Sequence, residues 1–440
     1  MDALKVVVLA GGNSTRFAPL GDKNLFKFLG KSLVEQQLSQ LKQHGFANIT
    51  VIANPNSYKD IEAEARLVDE TIRVIAQDGE GQAGAVQTAL FGSPSIGDLL
   101  VINMNDIFTP ELINNFTAKL PGLRESGRNL LTGYKVTSYF PGGYLVRNSQ
   151  GFITSVMEKP GAGNEPSDYV RLVWDYFHDV NQLKSAMAEA GSQKDDVYEV
   201  ALTNMMTRGQ EFVMLEYTSS WHTLKYPWHV LSTMEYFLSS IPEPKIDPSA
   251  EIAESAVIKG NVIIEAGVRV FEHATIKGPA YIGKNSIIAN NALVRASIIG
   301  EGCVIGFASE VARSYLRNKI WLHMNYVGDS IVDNNVSFGS TALTANLRLD
   351  EGTVAVNIKA EKIDSNLAKL GAIIGADVRI GVGVKLMPGV KIGRNSALKS
   401  GLLINIDIPE NTYADTLQTL ELKPNRINIA EKSREHSAIK

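Results

Sequence analysis

Up to about residue 235, hydrophobic positions along the chain come in two alternating kinds. Apolar, β-branched runs at 4–10, 49–53, 72–75 and 98–103 read as strands, and 33–43 and 82–90 carry apolar residues at helical spacing. This alternation predicts a parallel sheet covered by helices, a Rossmann-like α/β domain. Ile241-Pro242-Glu243-Pro244 then punctuates the chain as a linker. Beyond it the period changes. Ile246, Ile252, Ile258, Ile264, Val270, Ile276, Ile282, Ile288 and Val294 recur every six residues. After an interruption the period returns at Ile374, Ile380, Leu386, Ile392, Leu398 and Ile404. Neither a helix nor an alternating strand repeats at six. One aliphatic per six residues, with Gly and Asn between, suits a triangular coil with three short faces. Stacked coils of this kind make a left-handed parallel β-helix of hexapeptide repeats.

Composition narrows the function. At 440 residues the chain is too long for one ordinary core. A net charge of −4 offers no basic field, so nucleic acid is not an expected partner. No run approaches the ~20 apolar residues that span a bilayer, and no amphipathic segment reads as a membrane anchor. The apolar N-terminal run is strand-length and lacks the flanks of a signal peptide. Cys303 is the single cysteine; it excludes an intrachain disulfide and suits a reducing compartment, so a cytoplasmic location is expected.

Candidate chemistry begins at LAGGNSTRFAPLGDK, residues 9–23. A strand ends at Ala10, and Gly11 and Gly12 follow with no Cβ to keep phosphate oxygens from backbone N–H groups. Arg16 and Lys23 bring two positive charges to the same loop. The arrangement, with Gly30-Lys31 beyond it, resembles the signature loop of the sugar-1-phosphate nucleotidyltransferases. The resemblance continues in order along the chain. Gln77 and the GEGQAGAVQTAL segment with Gly81 match the family's base-binding stretch, and LLVINMND puts Asp106 just past a buried strand. Gly143-Tyr144 matches the sugar-facing turn, and MEKP supplies Glu158 and Lys159. The resemblance implies Arg16 and Lys23 as catalytic cations on the triphosphate and Asp106 as a Mg²⁺ ligand. It also implies Gly11, Gly12, Gln77 and Gly81 as nucleotide-binding, and Gly143, Glu158 and Lys159 as binding the sugar 1-phosphate, Glu158 through sugar hydroxyls and Lys159 through the phosphate. Two stretches depart from it. Arg171-Leu172-Val173 stands for Asn-Ala-Gly, and Trp221-His222-Thr223-Leu224-Lys225 stands for Trp-x-Asp-Ile-Gly, so a second metal carboxylate is replaced by Thr223. His222, Asp175 and Asn204 are candidates to compensate, water could complete the shell, or catalysis is weakened.

WLHMNYVGDSIVDNNVSFGSTALTANLR, residues 321–348, resembles the acetyltransferase site of archaeal and bacterial bifunctional N-acetylglucosamine-1-phosphate uridylyltransferases. That likeness implies His323 as the base that deprotonates a sugar amine attacking acetyl-CoA, work that suits an imidazole. It implies Tyr326, Arg295, Arg313, Asn346 and Lys369 as substrate-binding residues. Arg313 stands where the family has Lys and needs a one-residue gap. The family's β-helices assemble as trimers, which implies a homotrimer here.

The expected organisation is therefore a nucleotidyltransferase domain at 1–240, a left-handed β-helix at 241–417 and a polar tail at 418–440. The expected reaction joins UTP or dTTP to N-acetylglucosamine or glucose 1-phosphate. Two alternatives stay open: acetyl transfer as the main activity, or a sugar-nucleotide-binding scaffold of weak turnover.

Overall fold

The computed structural model of the protein describes residues 4–91, 97–193, 196–359, 361–416 and 423–424. The expected C-terminal tail lies outside the described residues, apart from 423–424.

Lys5–Ala10 sits in the middle of a nine-stranded sheet. Val6, Val8 and Ala10 enter the core on one face, and Val7 and Leu9 enter the core on the other. Burial on both faces is why this strand reads as an unbroken apolar run rather than an alternating one. Asn48–Ala53, Arg73–Ala76 and Leu99–Asn103 extend the sheet as parallel neighbours. The expectation of a parallel sheet fails beyond them, because Tyr169–Phe177 pairs antiparallel with Leu99–Asn103. It also pairs antiparallel with Asn129–Lys135 and Gly143–Arg147. Parallel neighbours need a crossover of a dozen or more residues, normally a helix. Between Asn129–Lys135 and Tyr169–Phe177 the chain has strands and turns only, so those strands pair antiparallel. The domain is α/β and Rossmann-like with a mixed sheet.

From Lys245–Ile246 onward, two- and three-residue strands stack in parallel into the faces of a left-handed β-helix, two of them eight-stranded sheets. Most of the expected aliphatics form its interior column, where Ile264, Val270, Ile276, Ile282, Ile288 and Val294 are all buried, while Ile246 on the first strand is exposed and Ile252 and Ile258 are partly buried. Many corners adopt the left-handed backbone region, several at Asn (Asn285, Asn291, Asn335, Asn395), a residue that visits it at low cost. What looked like an interruption is a slip of phase. Ile264 stacks on Ile282 at 18 residues, and the next steps, to Ile299, Leu316 and Val332, shorten to 17, 17 and 16. The column stays filled by Ile305, Val311, Leu322, Val327 and Phe338. Only then does a long excursion intervene, with Val332 stacking on Ile374. It contains the hairpin of Ala355–Ile358 and Glu361–Asp364.

That hairpin and one β-helix face close on the first domain. Val354, Val356 and Ile358 share a buried cluster with Phe17, Phe26, Phe28, Trp228 and Met234, and with Tyr281, Tyr315 and Ile331 of the coils. Polar struts complete the seam. Gly21 N–H donates to Asp333 Oδ2 (2.9 Å), and Tyr315 O–H donates to the Lys27 carbonyl (2.7 Å). Arg317 donates to Asp333 Oδ1 (2.9 Å) and the Leu25 carbonyl (3.2 Å), with its guanidinium 4.6 Å from the Phe26 ring centroid. The segment after the glycine loop is thus held between both domains.

Candidate active site

The strand ends Ala10, Asn103 and the start of Asp106–Phe108 open onto a cleft of about 810 Å³, where α/β folds commonly bind ligands. All ten residues expected in the nucleotidyl-transfer site line it. Gly11, Gly12, Arg16 and Lys23 come from the loop, and Gln77 and Gly81 from the approach to the helix Gly81–Phe91. Asp106 lies on the floor, and Gly143, Glu158 and Lys159 on the far wall.

Gly11 is required by close approach. A Cβ there would stand 1.5 Å from Gln77 Oε1. The Gln77 amide donates to the Gly79 and Gly81 carbonyls (3.1 and 2.8 Å), which holds the turn. Gln77 Oε1 and Gln82 Nε2 are buried with no hydrogen-bond partner. Lys23 starts a short 3₁₀ turn, Lys23–Leu25, whose preceding Asp22 accepts from Asn24 N–H and Ser57 O–H (2.9 and 2.5 Å). Burial pushes the Lys23 ammonium down to about 8, against the pull of Asp106 and Asp22. Asp106 is 6 % exposed, and burial pushes its carboxyl above the usual range despite two donors. These are Trp221 Nε1–H to Oδ1 and Asn103 Nδ2–H to Oδ2, both at 3.1 Å. Lys159 holds a left-handed backbone conformation (φ 46°), its N–H donates to the Gly142 carbonyl, and its ammonium meets Glu158 at 2.7 Å. Such a conformation costs a residue with a Cβ of order 1–3 kcal/mol and is typical of functional positions.

Trp221–Thr223 pairs antiparallel with Asp106–Phe108 and sets Thr223 opposite Asp106. None of the three side chains suggested to compensate for its missing carboxylate lines the cleft. Alternation along the strand turns His222 away from Trp221 and Thr223, onto the Tyr236 ring at 4.6 Å and to Ser220 Oγ at 2.9 Å. Asp175 is fully buried, accepts from Tyr198 O–H (2.9 Å) and sits 3.5 Å from Arg171. Burial pushes its carboxyl up to about 6. Asn204, on the helix Val197–Thr207, does not line the cleft. Arg171 does line it, with Nη2 donating to Glu199 at 2.6 Å.

Asn103, Trp221, Glu199 and Lys225 belong to this site and were not singled out as functional residues from the sequence. The polar Asn103, Asn105 and Asp106 ending an apolar strand carried that signal for Asn103. Trp221 and Lys225 could be read only as parts of a departing motif. Behind Thr223, His229 Nδ1 lies 2.8 Å from the Thr223 carbonyl oxygen, and burial pushes its imidazole down to about 4. A histidine held neutral in the folded state but protonating near 6.5 when unfolded gives stability that is complete above pH 6.5. That stability is lost as pH falls toward 4. Thermal melts from pH 7 to pH 4 are therefore expected to lose on the order of 2–3 kcal/mol more in the wild type than in His229→Gln.

The second set gathers on consecutive β-helix coils. Arg295 Nε and Nη2 bind Glu310 at 2.9 and 2.7 Å, and Arg313 grips Asp329 through two 2.6 Å bonds. Ala312, not Arg313, stacks on Arg295, and Arg313 occupies the corner after it (φ 48°). Asn346 Nδ2 donates to Tyr326 Oη (3.1 Å) and to Asp329. Lys369 bridges backbone to backbone with Leu347, beside Asn346. The His323 ring is exposed at a corner whose backbone is fixed on both sides: its N–H donates to Asn325 Oδ1 (2.7 Å), and its carbonyl accepts from Ser309 O–H (3.0 Å). Gly306 packs beneath, where a Cβ would lie 2.1 Å from the His323 carbonyl oxygen. Cys303 is buried in the column, as expected of a small apolar side chain.

Comparison with known proteins matches residues 6–130 to the MobA-like NTP transferase domain and 240–363 to the GMPPB C-terminal domain. The chain is 31% identical over 427 residues to a bifunctional sugar-1-phosphate nucleotidylyltransferase/acetyltransferase of Sulfurisphaera tokodaii, covering 92% of this chain and 98% of that protein. It is 29% identical over 432 residues to the bifunctional protein GlmU of Methanococcus vannielii, covering 96% and 99%. To GlmU of Methanococcus aeolicus it is 30% identical over 436 residues, covering 97% and 100%.

Proposed function

The chain belongs to the family of bifunctional sugar-1-phosphate nucleotidylyltransferases/acetyltransferases, and from that premise we propose that its cleft joins UTP or dTTP to N-acetylglucosamine or glucose 1-phosphate. The observation that carries this reading is one cleft lined by Arg16 and Lys23, neither ion-paired among the described residues, together with the buried Asp106. An oxygen of the sugar phosphate attacks the α-phosphorus. Its O–P bond forms as the bond from α-phosphorus to the bridging oxygen breaks, and pyrophosphate leaves with the electron pair. The attacking oxygen is already anionic, so no strong base is needed. Catalysis is by positioning and charge: Arg16 and Lys23 hold the triphosphate, Lys159 holds the phosphate of the sugar, and Glu158 accepts from the sugar hydroxyls. Asp106 suits a divalent cation, being a buried carboxylate whose ionised form lacks a full countercharge. Mg²⁺ is commonly held by one or two carboxylates plus substrate phosphates, and there it would neutralise phosphate charge. The unpartnered acceptor Gln77 Oε1 and donor Gln82 Nε2 suit a base edge offering an N–H beside a carbonyl, which uracil, thymine and guanine have and adenine and cytosine lack.

In the β-helix, the His323 imidazole takes a proton from a sugar amine as its nitrogen attacks the thioester carbon of acetyl-CoA. The C–N bond forms, the C–S bond breaks, and the CoA thiolate leaves and takes up the proton. Arg295, Arg313, Tyr326, Asn346 and Lys369 bind the substrates. Exposed apolar residues beside His323, Trp321 (58%) and Met324 (43%), support a homotrimer with this site between copies, which sedimentation would check.

Pyrophosphate release with each sugar 1-phosphate and each nucleoside triphosphate, beside CoA release from acetyl-CoA and glucosamine 1-phosphate, tests both halves. One pair should release pyrophosphate. His323→Ala should lower CoA release by about 10²–10⁴-fold and leave pyrophosphate release intact. Thr223 opposite Asp106 favours a second reading, a weakly active sugar-nucleotide scaffold. Nucleotide binding with no pyrophosphate from any pair would put that reading first.

A further inference from the structure

We propose that Lys225 is a catalytic residue of the nucleotidyl-transfer site, where its ammonium grips the phosphate of the acceptor sugar jointly with Lys159. The inference rests on the nucleotidyl-transfer reading above. Where the family's pattern has Asp and Gly, this chain has Thr223 and Lys225, so one negative charge is lost and one positive charge gained. Both residues line the cleft. The Lys225 ammonium donates to the Pro141 carbonyl and lies 4.9 Å from the Phe140 ring centroid. Lys159 is tied to the same turn through its N–H bond to the Gly142 carbonyl at 3.0 Å. The Lys225 ammonium and the Lys159 backbone N–H are therefore bound to neighbouring carbonyls of one sugar-facing turn, and the Lys159 ammonium reaches Glu158 at 2.7 Å.

The charges that reach Lys225 come from both halves of the reaction. Arg16 belongs to the triphosphate loop, Lys159 and Glu158 to the sugar side, and Asp106 to the floor between them. An ammonium has three N–H donors. Pro141 takes one, and among the described residues no carboxylate forms an ion pair with Lys225. Arg16 and Lys159 repel the Lys225 ammonium in a partly desolvated cleft, a repulsion that Glu158, paired with Lys159, and Asp106 offset only in part. A sugar phosphate dianion between Lys159 and Lys225 would relieve that repulsion and accept the idle donors. The loss of the second carboxylate at Thr223 is then offset from the other direction: the site attracts the acceptor phosphate by side-chain charge.

The test compares wild type with Lys225→Met, which keeps the length of the side chain without the charge, and Lys225→Arg. N-acetylglucosamine 1-phosphate and glucose 1-phosphate serve as acceptors. KM for each substrate is read from pyrophosphate release, and acceptor binding is read separately by calorimetry. Lys225→Met is expected to raise KM and Kd for the sugar 1-phosphate by about 10- to 100-fold while KM for the nucleotide moves less than about threefold. Lys225→Arg should recover much of the loss. CoA release by the β-helix reports that the variants are folded. If Lys225 only braces the Pro141 turn, both substrates should suffer alike and Arg should not rescue; that result, or an unchanged acceptor Kd, overturns the inference. A wild type that neither turns over nor binds either acceptor instead overturns the nucleotidyl-transfer reading, and the inference with it.

Discussion

Asp106→Asn is expected to cut pyrophosphate release by about 100- to 1,000-fold while leaving the metal-free protein as stable as before, or more stable. The two effects have one cause. Burial pushes the Asp106 carboxyl upward, so its ionised form destabilises the fold near neutral pH. The neighbours donate to both oxygens, Trp221 Nε1–H to Oδ1 and Asn103 Nδ2–H to Oδ2. An asparagine keeps an acceptor for Trp221, and Asn103 can turn its amide to offer an oxygen to the new NH₂. The charge is removed without leaving a hole. What is lost is the anionic group proposed to hold the divalent ion, and activity should fall although the melting temperature does not. Pyrophosphate assays and thermal melts on one preparation check both halves, with CoA release as the internal control. A variant that loses activity and melts well below the wild type would mean that Asp106 serves the fold rather than the reaction.

Asp333→Ala should do the opposite, destabilising the protein and harming nucleotidyl transfer from outside the cleft. Asp333 is a β-helix residue with 3% of its side chain exposed, and it accepts from Arg317 and from the Gly21 N–H. Removing it leaves a guanidinium at the domain seam without its partner and a backbone N–H without an acceptor. Breaking a buried pair from one side costs about 3–5 kcal/mol. Gly21 lies two residues before Lys23, and the Leu25 and Lys27 carbonyls are held by Arg317 and Tyr315. Slackening that anchor should displace the Lys23 ammonium, and displacement by about 1 Å can cost about 100-fold in rate. The expected result is a lower melting temperature and a fall in kcat for pyrophosphate release, with CoA release less affected at temperatures where the variant is folded. Equal loss of both activities would mean that the β-helix itself had unravelled.

Local chemistry in the chain was enough to predict both architectures. Six-residue spacing from Ile246 to Val294 leaves few alternatives to a triangular coil, because the aliphatics from Ile264 on return to the same interior column. The strand Lys5–Ala10, the helix Leu33–Gln43 and the glycine loop were legible for the same reason: periodicity, turn chemistry and burial agree within a few residues of one another. The ten residues expected around the nucleotide and sugar phosphate meet in one cleft, since they stand at or beside the ends of elements whose order the sequence already fixes.

Long-range pairing was not legible. The mixed sheet arises because residues between Asn129–Lys135 and Tyr169–Phe177 lack a crossover helix, and no short window states which neighbour a strand will choose. The apparent break after Val294 hid shortened coils, in which the interior column continues while the spacing slips from 18 to 17 and 16. Which partner Arg313 takes, how His222 is turned away from the cleft, and how Arg317 and Asp333 clamp the Lys23 loop all depend on contacts between distant segments. The sequence alone determined which chemical groups are present and the periods that fold them. Only the tertiary structure decided which of those groups meet, because burial, charge pairing and close approach are properties of neighbours in space, which sequence distance does not specify.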